Sequence, residues 1–218
     1  MAQIEDYSPF LIGIKLLPGL PLDSIKKEMK KLLTNVDDYI VTPEGRGDIG
    51  ITIGLPIEPI GLKENVEIKL NLQTESFNII GDEPEKVNLI FEEIHDLLPQ
   101  LPYDMDSLVS FYEIIAGVSV KTDSEPPKDI LNNSFNVDLT SITENINPNI
   151  SLAGIRISSL PTNLDQNDFF DLLVEPKTGS YSNRFLVQLR YQTNDKENIT
   201  NFEVESTISQ IINALEEK

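Results

Sequence analysis

The stretch from residue 66 to residue 98 constrains the fold more than any other part of the chain. Residues 66–73 alternate between apolar and polar side chains, and a period of two is typical of a strand with one buried and one wet face. Residues 84–98 then open with a proline and carry apolar side chains at helical spacing. The pattern predicts a strand followed by an amphipathic helix that Pro99 ends.

A second strand and helix of the same kind close the chain. Residues 185–191 alternate, and residues 204–215 carry an apolar stripe at helical spacing. The segment GITIGLP at residues 50–56 is also echoed by GIRISSLP at residues 154–161. These matches predict an α+β fold of two pseudo-repeated halves, each an antiparallel sheet with helices packed on one face.

The proline-containing segment at residues 99–104 is the predicted boundary between the halves. It divides the chain into a first α+β half at residues 1–102 and a second at residues 103–218. Because the segment is short, we expect the halves to pack closely or to form one structural unit.

Local patterns give an element order of β-α-β-β-β-α for the first half. Asp23 is the predicted N-cap of the first helix, and Pro56, Pro59 and Gly61 are predicted to break the chain before the strand at Val66. The remaining predictions, all read from the sequence, are strands at residues 9–17, 39–42 and 49–55, a turn at 43–48, a strand at 111–120 buried on both faces, a loop or short helix at 128–131, a strand at 135–139, a strand or helical turn at 169–174, and a turn at 177–180.

Charge and composition narrow the classes of partner. The chain has a net charge of −19 and a pI near 4.3, and a field of that sign repels phosphate backbones and anionic lipid headgroups. We therefore expect no nucleic acid and no membrane as a partner. No apolar run approaches the roughly 18 residues of a transmembrane helix. A basic protein partner fits the charge.

The absence of cysteine from the sequence excludes disulfides, thiolate zinc sites and a cysteine nucleophile. The first ten residues, MAQIEDYSPF, carry acids and lack the basic and apolar segments of a signal peptide. The expected location is the cytoplasm, and no cofactor is predicted.

Four lysines, at Lys26, Lys27, Lys30 and Lys31, lie on the polar side of the first predicted helix. A solvated helix face is one interpretation. The other is a patch for an anion or an acidic partner segment, which would be conspicuous in a chain of this charge.

Two motifs occur in the same glycine-rich stretch, residues 45–50. One is a literal GxGxxG, but the dinucleotide fingerprint needs a helix after it, and a strand-like segment follows instead. A hairpin tip explains these glycines better. The other is the tripeptide Arg46-Gly47-Asp48, which we interpret as incidental.

Titratable residues provide no evident catalytic or metal centre in the sequence. His95 is the only histidine, so multi-histidine metal sites are excluded, and its position beside an apolar stripe favours a structural role. Asp165, Asp168, Asp171 and Glu175 lack the glycine and glutamate spacing of a calcium loop. A pair of carboxylates brought together by the fold stays open as an alternative.

In element order alone, the predicted duplicated α+β chain resembles the saddle of the TATA-binding proteins. That resemblance implies a concave sheet face that binds DNA, which needs a positive potential and apolar wedges, whereas this chain is strongly acidic. The second half is similar, in topology and charge, to the acidic SecB-type export chaperones.

Two functional hypotheses follow. The first is a non-catalytic protein-binding or scaffold protein, not an enzyme, that uses a sheet face or strand edge for a protein partner or for self-association. The second is a carboxylate-based enzyme, or a protein for a small ligand or cation, with its site between the halves.

Overall fold

The computed structural model describes residues 3–43, 57–122, 126–135, 153–159, 168–177 and 183–217. Several predicted features lie outside these residues: the GxGxxG and Arg46-Gly47-Asp48 motifs, the strand at 49–55, and most of the strand at 135–139 and of the turns at 43–48 and 177–180.

Within the described residues, nine antiparallel strands form one sheet, in the order β2-β3-β4-β5-β1-β6-β9-β8-β7. The two longest strands, β1 and β6, pair with each other at its centre. The strands are β1 Gln3–Leu16, β2 Ile40–Val41, β3 Ile57–Lys63, β4 Val66–Asn71, β5 Ser76–Gly81, β6 Val109–Lys121, β7 Ile155–Ser158, β8 Phe169–Pro176 and β9 Arg184–Thr193.

The helices supply apolar stripes that cover one face of this sheet. Their buried side chains belong to a single hydrophobic cluster with alternate residues of the strands, as expected for amphipathic helices on a sheet. The helices are α1 Leu22–Thr34, α2 Pro84–Leu97, α3 Met105–Leu108, α4 Pro127–Phe135, α5 Lys196–Thr200 and α6 Val204–Glu216, with a 3₁₀ turn at Leu98–Gln100.

The strand and the helix predicted within residues 66–98 are confirmed as β4 and α2. Val66, Ile68 and Leu70 of β4 are buried, and Val87 of α2 is fully buried. Pro84 occupies the first turn of α2, where its missing N–H costs nothing.

The predicted break before Val66 is wrong, because residues 57–63 form β3. Pro59 is tolerated there because it lies next to an irregularity in the β3–β4 register and beyond the short β2, which pairs only with Gly61 and Leu62. The structure also adds a strand that the sequence did not predict, β5. Residues 169–176 are strand β8, and Pro127–Phe135 is helix α4.

The prediction that residues 111–120 are buried on both faces is also wrong. Strand β6 alternates: Ile114 is 1% exposed, whereas its neighbour Ile115 is 37% exposed. An almost uninterrupted apolar run therefore hides a strand with one buried and one accessible face.

Strands from the two predicted halves join edge to edge through β1 and β6, so the antiparallel α+β architecture holds as one continuous sheet rather than two. The duplication and the boundary at residues 102 and 103 stay predictions.

Candidate functional site

The candidate site is the face of the sheet opposite the helices, which we call the open face. Cross-strand register places six of its residues side by side on successive strands, and we call them the central row. In order across β4, β5, β1, β6, β9 and β8 they are Glu67, Ile80, Leu11, Ile115, Arg190 and Asp171.

The middle of the central row is aliphatic. Leu11 and Ile80 are half-buried, and Ile115 is 37% exposed. The other large apolar side chains that are exposed in the described part of the chain lie on helices, on edge strands or beyond a strand end. Ile115 is thus distinctive, as an accessible isoleucine at the centre of a nine-stranded sheet.

One end of the central row carries two arginines, each held by a carboxylate. Arg156 donates from Nε and Nη2 to the two oxygens of Asp171, at 2.7 and 2.9 Å, and Arg190 Nη2 lies 3.0 Å from Glu113 Oε2. Hydrogen bonds from Arg156 and then from Ser158 hold the pKa of Asp171 below its usual value. These side chains are therefore held in fixed orientations at this end of the open face.

Beside these ion pairs lies a depression of about 330 Å³. Ile115 and Leu173 contribute apolar surface to it, and its polar surface comes from Arg156, Asp171, Gln188 and Arg190. The depression can accept an apolar side chain with a polar or charged group beside it.

The other end of the row is acidic. Glu67 and Asp82 line a second depression of about 550 Å³ together with Leu62, Ile80 and Pro9. Glu67 forms an ion pair with Lys69 on the same strand and is still 51% exposed. The two depressions thus lie at opposite ends of the same aliphatic stripe: acids line one, and arginines paired with carboxylates line the other.

Two glycines in the central strands permit close approaches on this face. A Cβ atom on Gly13 would lie 2.9 Å from Glu113 Cγ, so the glutamate side chain lies across β1. A Cβ atom on Gly117 would lie 2.4 Å from the carbonyl oxygen of Ser8, at an irregularity of the β1–β6 register. Gly117 therefore requires a residue without a side chain, because its neighbour is a backbone atom, whereas the Glu113 side chain beside Gly13 is flexible.

The lysine patch of α1 is partly engaged in ion pairs. Lys26 binds Glu58 of β3 and Asp23, and although partial burial opposes this, the two carboxylates leave its pKa above the usual value. Lys31 pairs with Glu28 at 2.6 Å. Lys30 is half-buried and Lys27 is exposed; a role of the patch in anion binding stays a prediction.

The sequence predicted Asp23 as the N-cap of α1, and this prediction is wrong. The helix begins at Leu22 with Pro21 as the cap residue, and Asp23 lies within the first turn. A carboxylate in that position still favours the positive end of the helix dipole.

His95 lies beside two aromatic rings, those of Phe91 and Tyr112. Its Nε2 atom is 3.0 Å from the hydroxyl oxygen of Tyr112, and its ring is in contact with Phe91. Four acids were compared with a calcium loop in the sequence. Asp171 is bound by Arg156, Asp168 is exposed, and Glu175 is half-buried on β8. Asp165 lies outside the described residues. Within the described ranges, no three metal-ligating side chains lie together.

A cleft of about 420 Å³ lies on the helix side, between β1, the start of α2, and α5–α6. Glu85, Glu203 and Glu205 line it, and the Tyr7 hydroxyl donates to Glu205 at 3.2 Å. Burial, and then the charge of Glu205, raise the pKa of Tyr7. The cleft brings elements of both predicted halves together around carboxylates.

Comparison with known proteins does not identify the chain: no protein-family model matches it, and no curated protein is significantly similar. Among the helices that the structure describes, none has the length and apolar character needed to cross a membrane.

Proposed function

We propose that this chain is a non-catalytic protein-binding or scaffold protein that docks a polypeptide on the open face of its sheet. The observation that carries the proposal is the aliphatic stripe of Ile80, Leu11 and Ile115, which crosses the three adjacent strands β5, β1 and β6. An accessible apolar patch rimmed by polar side chains is typical of a protein-interaction surface.

The charge distribution supports a basic polypeptide partner in the cytoplasm. The whole chain carries a net charge of −19, which attracts basic proteins and repels nucleic acids and anionic membranes. On the open face itself, arginines are matched by carboxylates, so apolar contact there need not bury a charge without a partner.

The engagement of the titratable groups supports a non-catalytic role. His95 lies against Tyr112, and the open-face acids Asp171 and Glu113 are each bound by an arginine. Hydrogen bonds from Arg156 hold the pKa of Asp171 below its usual value, which makes this acid a poor general acid or base near neutral pH.

We also propose that the chain is an internal duplication of residues 1–102 and 103–218. In each half the first strand pairs with the last, β1 with β5 and β6 with β9. Helix α2 follows strand β5, and helices α5 and α6 follow strand β9. In both halves these helices contribute buried apolar side chains to the core.

The docking proposal is tested by capture with matched variants. Wild type, Ile115→Arg and Leu89→Arg are immobilised and exposed to a lysate of the cells that make the protein, and bound proteins are quantified by mass spectrometry. Leu89 lies on α2 and is 61% exposed, so its substitution controls for added charge at an exposed apolar site.

The proposal expects a stoichiometric partner that is captured by wild type and Leu89→Arg but is reduced at least tenfold by Ile115→Arg. A partner captured equally by all three proteins, or lost only with Leu89→Arg, would move the binding site away from the open face.

A second candidate function is the binding of a small organic cation in the cleft between α2 and α6. Three glutamates around a cavity of about 420 Å³ favour it. Calorimetric titration with a diamine and a triamine tests this function: Glu205→Gln is expected to weaken binding several-fold, while Glu28→Gln on α1 leaves it unchanged. No heat of binding to the wild type would exclude this function.

A further inference from the structure

The central row begins with the exposed acid Glu67 and ends with Arg190 and Asp171, where two exposed arginines are each paired with a carboxylate, and this difference bears on the chemistry of the partner. Resting on the proposed docking function, we infer that the open face takes an extended segment of another protein that runs across the strands. That segment places a basic side chain at Glu67, aliphatic side chains on the stripe and an acidic side chain at Arg190.

The length of the segment follows from the register. Glu67 and Arg190 are separated by four strand-to-strand steps along the row. At about 4.8 Å a step the two residues lie about 19 Å apart, a distance that an extended chain spans with about six residues. Because both charged side chains must face the sheet, they are about six positions apart in the segment.

The aliphatic centre decides what lies between the charged side chains. Ile80, Leu11 and Ile115 succeed one another without a polar interruption. In an extended segment alternate side chains face the sheet, so two aliphatic side chains on one side of the segment can cover these three residues. The residues between them face away and are free to be polar.

The acidic end favours a lysine or arginine. Glu67 and Asp82 line one depression, and Glu67 is opposed only in part by Lys69, to which it is paired. A basic side chain placed there meets two carboxylates beside the apolar surface of Ile80 and Leu62, which suits the long aliphatic stem of a lysine.

The arginine end favours a carboxylate. A guanidinium has five N–H donors in a fixed plane, and the ion pairs of Arg156 and Arg190 each direct one edge at a protein carboxylate. The two side chains are 67% and 48% exposed. They flank the depression next to Ile115, so an acidic side chain entering it meets oriented donors from both.

Another protein fits this row better than a second copy of the chain. Two copies would each bring a charge of −19, and their mutual repulsion opposes association. A basic protein that contributes one mixed-charge segment meets no such barrier.

Selection from a library of random dodecapeptides displayed on phage tests this inference on the full-length protein. The expected consensus has one basic and one acidic residue about six positions apart, in either chain direction, with aliphatic residues at alternate positions between them. Selected peptides are expected to bind at least tenfold more weakly to Ile115→Arg and with unchanged affinity to Leu89→Arg.

Charge reversal sharpens the test. Arg190→Glu is expected to weaken the selected peptides about tenfold and to prefer versions whose acidic residue is replaced by lysine; Glu67→Lys is expected to do the same at the other end. Circular dichroism and thermal unfolding check that each variant folds, and either reversal alone suffices for the test.

The outcomes separate the inference from the proposed function. Peptides that depend on Ile115 but not on Arg190 or Glu67 would overturn the inferred charge pattern and leave the docking face standing. Peptides that bind Ile115→Arg as well as wild type would overturn both. A wild-type dimer in light scattering that Ile115→Arg dissociates would name a second copy as the occupant and also overturn the inference.

Discussion

Ile114 and Ile115 are neighbours in β6 and chemically identical, yet they belong to different faces of the sheet. Ile114 is 1% exposed in the core under the helices, and Ile115 is 37% exposed on the open face. One residue therefore contributes mainly to folding, and the other remains accessible for contact with another molecule. The comparison shows that one face of the sheet is buried in the core and the other is accessible, and the proposed docking is assigned to the accessible face.

Ion pairs on the two faces of the sheet follow the same division. On the helix side, ion pairs tie helices to the sheet: Lys63 Nζ lies 2.7 Å from Glu93 Oε2 of α2, and Lys26 of α1 binds Glu58 of β3. On the open face, ion pairs tie strand to strand instead, as between Arg156 and Asp171. Cross-strand pairs stabilise a wet sheet face without covering it.

The largest expected effect is on stability and comes from truncating the two isoleucines in parallel. Ile114→Ala is expected to lower the free energy of unfolding by about 2–4 kcal/mol, because it leaves a cavity in the core, and Ile115→Ala by less than about 1 kcal/mol. Urea unfolding followed by circular dichroism measures both. Equal losses for the two variants would contradict the division between the faces.

The next effect concerns close contact on the open face. Gly117→Ala would force a Cβ against the Ser8 carbonyl oxygen at 2.4 Å, and a backbone atom cannot move aside cheaply, so we expect a loss of about 1–3 kcal/mol. Gly13→Ala is the matched control, because its Cβ meets the flexible side chain of Glu113. Thermal unfolding should rank Gly117→Ala well below Gly13→Ala; the reverse order would show that Ser8 does not cross Gly117.

The smallest effect is the pH dependence of the open-face ion pair. The pKa of Asp171 is lowered in the folded protein, so the carboxylate stabilises the fold above its unfolded pKa of about 3.9 and loses this contribution as the pH falls through the folded pKa. The stability of Asp171→Asn should accordingly decline less than that of wild type between about pH 5 and pH 3. Chemical unfolding across that range measures the difference. Parallel declines for the two proteins would show that the Asp171 carboxylate does not contribute to the pH dependence of stability.

Local sequence patterns were sufficient to predict the strands and helices that have one apolar and one polar face. The strand and the helix of residues 66–98 were predicted correctly, because one buried face imposes its period directly on the sequence. The predicted alternation extended too far, since β4 ends at Asn71, whose side chain is buried rather than wet. In β6 the open-face positions include Ile115 and Gly117, and since they are not polar, the alternation was masked.

The candidate site could not be read from the sequence for a different reason. The central row joins residues as far apart as Leu11 and Ile115, or Glu67 and Arg190, through pairings between distant strands. No spacing in the chain encodes such a row; only the strand order and register do. The lysines of α1, by contrast, form a visible sequence pattern, although Lys26 is engaged by Glu58 of β3.

The most direct test of the division between the faces is methyl NMR of the isoleucines with a soluble paramagnetic probe, first on the free protein and then with a captured partner or selected peptide. The account predicts strong relaxation enhancement of the Ile115 methyl in the free protein, loss of that enhancement on binding, and little enhancement of Ile114 in either state. An Ile115 methyl that is protected before any partner is added, or that stays accessible in the complex, would contradict it.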